Sequence, residues 1–106
     1  AYGHIPNYHS AKGRAVIETL HHCNFAAGFM DAYTYGCICS GRLDLCLNLT
    51  DKPWDCAAAA CIVSEAGGRY SDIDGNRSIF NDSFVISNGL VHEAAIAAIQ
   101  NNLVML

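Results

Sequence analysis

The stretch KPWDCAAAACIVSEAGG, residues 52–68, decides how this chain is read. Pro53 suits the first turn of a helix, where its missing N–H is one of the groups left unpaired anyway, and Gly67-Gly68 suits the stop. Between them, Trp54 to Ala66 carries only Asp55, Ser64 and Glu65 as polar side chains, so a buried helix is expected. The acid at its front end has two readings. Asp55 either caps the helix by meeting its free N–H groups, or is presented to something outside it.

Elements of alternating type flank this helix. Residues 1–9 are expected to form the frayed start of a strand or a loop. Ala11 to Cys23 places Val16, Ile17 and Leu20 at helical spacing. Asn24 to Phe29 suggests a short strand. Asp31 to Ser40 suggests a second helix, with Asp31 as N-cap and Gly41 as stop. Leu43 to Leu49 stays apolar rather than alternating, as expected of a strand covered on both faces. Arg69 to Ile73 reads as a strand entering an Asp74-Gly75 turn. Ser83 to Ser87 reads as a buried strand, Asn88-Gly89 as a turn, and Leu90 to Asn101 as an alanine-rich closing helix. The pattern predicts a single α/β domain over residues 1–106. Its architecture is a layered sandwich with a mainly parallel or mixed sheet of four to five strands, flanked by helices.

Composition narrows the function. The 106 residues are 52% apolar and 15% charged, so part of the surface is expected to be apolar and to meet a partner, a second copy of the chain included. A net charge of −4 with six Lys and Arg offers no basic stripe for nucleic acid. No run reaches the roughly 18 apolar residues of a membrane span, and the first residues do not resemble a signal peptide. The six cysteines include no C-x-x-C pair and mostly sit among Ala, Ile and Leu. Reduced core thiols in a cytoplasmic protein are therefore expected, rather than disulfides or a zinc site. His21, His22 and Cys23 are adjacent and cannot converge on one metal from a helix.

A carboxylate in the first turn of a helix sits where unpaired N–H groups and the positive end of the macrodipole attract anions. Asp55 as a cap needs nothing further. Asp55 as a ligand would hold a hard cation such as Mg²⁺ between the protein and a phosphate, a usual way of binding that ion. Position alone leaves both open.

The residues themselves add to this. Trp54, Asp55, Ala57, Ala58, Ile62, Val63, Glu65, Ala66, Gly67 and Gly68 match W-D-x-A-A-x-x-x-I-V-x-E-A-G-G, and the segment resembles the second signature of the inositol monophosphatase family. CSGRLD, residues 39–44, resembles the family's A-T-G-x-x-D segment, and RYSDIDG and FVISNGLVHE resemble its sequels. The similarity runs over about residues 28–100. It implies the C-terminal half of a Mg²⁺-dependent enzyme that hydrolyses phosphate monoesters of small polyols through a metal-activated water. It also implies Asp55 as a metal ligand with Trp54 packed behind it, Asp31 as a substrate contact, and Asn48 where many relatives carry an acid that bonds a substrate hydroxyl. Glu65, Gly67 and Gly68 complete the motif, the glycines as its structural stop.

The departures from the family pattern are specific. Met30 stands in place of a glycine before Asp31, Ala26 and Ala27 replace an arginine common in relatives, and Asn48 replaces a carboxylate. These 106 residues contain no D-P-x-D-G-T, the family's first signature, which supplies most of its metal ligands. DIDGN, residues 72–76, is neither that signature nor an EF-hand. The resemblance therefore implies a phosphatase portion that is inactive alone. Its substrate would be a small phosphorylated metabolite such as an inositol or histidinol phosphate. The alternative is a non-catalytic binding or assembly module that keeps the scaffold. Tyr33, Tyr35 and His92 are expected to be structural.

Overall fold

The computed structural model describes residues 10–26, 31–49 and 51–105, with the side chain of Asp31 also outside the described part. Four helices and three strands follow in the order α1 (Ala11–His21), α2 (Asp31–Cys39), β1 (Leu45–Leu49), α3 (Pro53–Glu65), β2 (Arg69–Ser71), β3 (Ser83–Ser87) and α4 (His92–Met105). The strand start expected within residues 1–9 lies outside the described residues. Of the strand expected at 24–29, residues 24–26 are irregular and the remainder lies outside the described residues.

The sheet is sealed on both faces, and the two-residue period of a strand explains why β1 and β3 are apolar almost throughout. Leu45, Leu47 and Leu49 point with Val85 toward α1 and α4, where they meet Ala15, Val16, Ala95 and Ile99. Cys46 points with Phe84 and Ile86 toward α2 and α3, where they meet Ile38, Cys56, Ala59, Ala60 and Val63. The outer helices are also tied by polar contact, since Asn102 Nδ2 donates to Thr19 Oγ1 at 3.0 Å. A three-layer α/β/α arrangement results, as the burial pattern of the strands requires.

The sheet itself differs from the expectation. Among the described residues it has three strands in the order β1-β3-β2, and both pairings are antiparallel. The passage from β1 through α3 does return β2 in the direction of β1, as a strand-helix-strand unit should. However, β3 folds back between them, so the two like-directed strands never pair. Leu45 opposes Ser87 on one side of β3, and Arg69 opposes the same Ser87 on the other.

Local chemistry sets the element ends. Ser10 Oγ accepts from the Gly13 N–H at 3.0 Å and starts α1. At the other end of α3, Gly67 takes φ of +87°, its N–H reaches the Ser64 carbonyl at 3.1 Å, and the Gly68 N–H reaches the Val63 carbonyl at 2.9 Å. That is the double bond of a Schellman stop. Gly68 has a second reason to be glycine, because a Cβ there would collide with the Ser87 carbonyl oxygen and lie 2.8 Å from Val63 Cγ1.

β2 ends at Ser71, two residues earlier than expected, because the buried Asp72 carboxylate organises a turn instead. It accepts from the N–H groups of Asp74 and Asn76, both at 2.9 Å, and from the side-chain amides of Asn76 and Asn81 at 3.2 and 2.6 Å. Burial works against the ionised form of Asp72, but these bonds outweigh it and hold its carboxyl below the usual range.

Candidate functional site

The C-terminal end of β1 and the first turn of α3 meet on the α2–α3 side of the sheet. Lys52 precedes α3 in extended conformation and Pro53 opens it. Asp55 then reaches back, its Oδ2 accepting from the Lys52 N–H at 3.0 Å. This one-way contact, half of a capping box, satisfies the Lys52 N–H at the helix start. Asp55 is exposed, so the capping bond occupies one oxygen and leaves the carboxylate open to solvent. The Lys52 ammonium turns away and pairs with Asp82 at 3.2 Å.

Trp54 departs from the expectation that it packs behind Asp55. Its indole is 80% exposed. The reason is angular: α3 turns Cys56, Ala59, Ala60 and Val63 toward the sheet, and Trp54 belongs with Ala57, Ala58, Cys61 and Ile62 on the opposite face. Glu65 lies exposed at the far end of the helix, about three turns from Asp55. Asp31 opens α2, and its role as a substrate contact falls on a side chain outside the described part.

Asn48 is sealed, 5% exposed, and sits in a polar cluster that spacing alone does not reveal. Its Nδ2 donates to the Tyr35 hydroxyl at 3.1 Å and to Asp51 Oδ2 at 3.2 Å. Tyr35 in turn donates to the same Asp51 oxygen at 3.4 Å, and the Cys56 thiol lies 4.0 Å from it. Asn48 Oδ1 is buried with no hydrogen-bond partner. The Tyr35 ring stands edge-on to Phe84, with centroids 6.0 Å apart, so the phenol packs by its body and bonds by its tip.

Electrostatics keep the donors of this cluster neutral. Burial, and after it the charge of Asp51, pushes the Tyr35 phenol well above its ordinary value, although the Asn48 bond pulls the other way. Burial and Asp51 likewise push the Cys46 thiol up, and burial, Asp51 and Asp55 push the Cys56 thiol to about 12. All six cysteines are free, with Cys37, Cys46 and Cys56 buried as expected of core thiols and Cys61 exposed.

The sequence singled out Asn48 and Asp55, and the fold brings them to one end of the sheet. It missed Asp51, whose signal was weak: an acid just before the Lys52-Pro53 helix start. Among the described residues no three His, Cys, Asp or Glu side chains are placed to share a metal ion. The described donors therefore do not fit a complete Mg²⁺ site, and Asp55 supplies at most one ligand. A groove of 490 Å³ along the outer face of α3, between Cys61 and Phe80, shares no lining residue with the cluster. No described helix is long and apolar enough to cross a membrane.

The family model described as "Inositol monophosphatase family" matches residues 5–104. A Thermotoga maritima fructose-1,6-bisphosphatase/inositol-1-monophosphatase is 38% identical over 61 residues, which is 57% of this chain and 24% of that protein. A Chlorobaculum parvum histidinol-phosphatase is 39% identical over 75 residues, 70% of this chain and 29% of that protein. Among solved structures, the Thermotoga maritima IMPase superposes with a TM-score of 0.80 at 24% identity, over 98% of this chain and 41% of its own. An inositol monophosphatase from Zymomonas mobilis gives 0.80 at 23% identity, over 93% and 41%. At those identities the structural likeness speaks for the fold. The chain thus spans less than half the length of each of these relatives.

Proposed function

The chain belongs to the inositol monophosphatase family, and from that premise we propose that it is the C-terminal portion of a Mg²⁺-dependent phosphatase acting on small phosphate monoesters. The observation that carries the proposal is the exposed first-turn Asp55 beside the polar end of β1. In this reading α3 offers its N-terminal N–H groups and dipole to the phosphate. Asp55 would give one ligand to the cation, which would supply charge neutralisation and an activated water. Asn48, sealed at 5% exposure, would act on the alcohol part of the ester only through the neighbours it holds. An inositol or histidinol phosphate fits this division, in keeping with the relatives' names.

The remaining metal ligands would come from a segment carrying D-P-x-D-G-T. The test is to join or mix such a segment with this chain and measure phosphate release with Mg²⁺. We expect no turnover by the 106 residues alone, turnover in the completed protein, and a loss of about a thousandfold or more in Asp55→Asn. Full activity in Asp55→Asn would sink the assignment of that residue.

A second reading is favoured by one observation. The outer face of α3, with Trp54, Ala57, Ala58, Cys61 and Ile62, is apolar and faces solvent. An assembly module that keeps this scaffold without catalysis would use such a face, and a second copy of the chain is the simplest partner. Sedimentation as a clean monomer at high concentration would count against self-association. The free thiols are consistent with a reducing, cytoplasmic setting.

A further inference from the structure

We propose that the groove along the outer face of α3 is a binding site for a free α-amino acid with a large apolar side chain, its ammonium held by Glu65 and its carboxylate by Arg77. The inference stands apart from the phosphatase reading. It gives a role to Glu65, a motif residue that the end of the sheet near Asp55 does not use.

The groove has two walls. One is α3, where Ala57, Ala60, Cys61, Ser64 and Glu65 share a face at helical spacing. The other is the arm between β2 and β3, which brings Arg77, Ser78 and Phe80 alongside. This arm runs antiparallel to α3. The Arg77 guanidinium lies over the Tyr70 ring, 5.0 Å from its centroid, just beyond the end of α3, whereas Asp82 pairs with Lys52 ahead of its start. The arm is also pinned, since Asn81 Nδ2 donates to Asp72 at 2.6 Å and the Phe80 N–H donates to Ser78 Oγ at 3.1 Å. The groove is therefore preformed, with Glu65 and Arg77 at one end and Ala57 and the exposed Phe80 at the other.

At the polar end the two walls are chemically opposite. Glu65 offers a carboxylate, and Ser64, which gives its hydrogen to the Ala60 carbonyl at 2.7 Å, offers only lone pairs. Arg77 offers guanidinium donors, and Ser78, which accepts from Phe80, keeps its own hydrogen to give. Among the described residues neither Glu65 nor Arg77 forms an ion pair, with each other or with another side chain. A lone anion would be drawn to Arg77 but repelled by Glu65, and a lone cation would meet the reverse. An ammonium and a carboxylate on one carbon suit both walls at once, whereas an internal residue of a peptide carries neither charge. Beyond that head, Ala57, Ala60, Ile79 and Phe80 supply an apolar surface for the side chain. The groove's 490 Å³ lies within the range of small-ligand cavities, about 300–1,000 Å³.

The test is an NMR titration of the 106-residue chain with L-phenylalanine, following the backbone amides of Ala57, Cys61 and Phe80 and the side chains of Glu65 and Arg77. All five should shift saturably. Phenylacetate, which lacks the ammonium, and phenethylamine, which lacks the carboxylate, should each bind about tenfold more weakly, the size of one lost charge-assisted hydrogen bond. Glu65→Gln and Arg77→Gln should each weaken L-phenylalanine by a similar factor. The pairing of group with residue is read from the cross: Glu65→Gln should leave phenylacetate no weaker, and Arg77→Gln should leave phenethylamine no weaker. No saturable response to L-phenylalanine overturns the proposal, as does phenylacetate or phenethylamine binding as tightly as the amino acid, or L-phenylalanine binding unchanged in either variant. Shifts of the same five groups on concentrating the chain without ligand would assign the groove to a second copy and overturn it too.

Discussion

His92 and Asn48 are polar side chains sealed on opposite faces of the same small sheet, 1% and 5% exposed, and they are treated differently. His92 is satisfied at both ring nitrogens. Ser71 Oγ lies 2.7 Å from Nε2 and Ser87 Oγ 2.9 Å from Nδ1. Since Ser71 gives its hydrogen to the Asp72 carbonyl at 2.7 Å, it must accept from Nε2–H. Ser87 takes the Gly89 N–H at 3.0 Å and gives its own hydrogen to Nδ1. A neutral imidazole with its proton on Nε2 thus links β2, β3 and the start of α4. Asn48 leaves one acceptor unpaired. A fully paired buried group specifies and stabilises a fold, whereas a partly paired one next to an exposed first-turn acid marks where stability yields to another demand.

The sharpest way to break this contrast is to remove each side chain in turn. His92→Ala should cost about 3 kcal/mol, since it opens a cavity and strands two buried hydroxyls. Gly68→Ala should cost a similar ~2–4 kcal/mol, because the oxygen it strikes is backbone and cannot swing aside. Denaturant unfolding measures both, and a loss below about 1 kcal/mol in either would mean that this end of the domain is less tightly specified than its contacts imply. Asn48→Leu, by contrast, should change stability by no more than about 1 kcal/mol, because it removes two bonds but also an unpaired acceptor. Asp55→Asn should shift stability by roughly 0.5 kcal/mol or less, since only one exposed cap contact weakens.

Acid titration sharpens the same contrast. Burial, and after it the charge of Arg69, holds the His92 imidazole below its ordinary value, with Glu93 opposing in part. The folded state therefore prefers the neutral ring. Stability should be full above about pH 6.5 and fall as the pH drops from there toward the lowered folded value, because the unfolded chain takes up the proton first. Asp72 adds a second, more acidic window. Its folded carboxyl titrates below the usual range, so its contribution is present above about pH 4 and lost as the pH falls through that lowered value. In His92→Gln the first window should vanish and the second remain. A first window that survives the substitution would assign it to other groups.

How much of this was legible depended on the range of the interaction. Pro53, Gly67 and the burial of Ser83–Ser87 were readable because caps, stops and strand periodicity are set within a few residues. The family was readable from ten matched residues around Trp54 and Asp55. The exposure of Trp54 was not, because α3 is apolar on both faces and nothing in its period says which one the sheet covers. The partnership of Asp51 with Tyr35 was not either, since Tyr35 lies 16 residues away on another element.

The sequence by itself determined the order of the four helices and the start and stop of α3, which strands are enclosed, and to which family they belong, because those follow from local backbone chemistry and from the order of side chains; the closing helix, expected at Leu90 to Asn101, instead runs His92–Met105. Only the tertiary structure decided that β3 inserts between β1 and β2 and makes the sheet antiparallel, that Trp54 faces outward, and that Asn48, Tyr35 and Asp51 share one cluster. These depend on which distant surfaces pack together, and local propensity does not specify that choice.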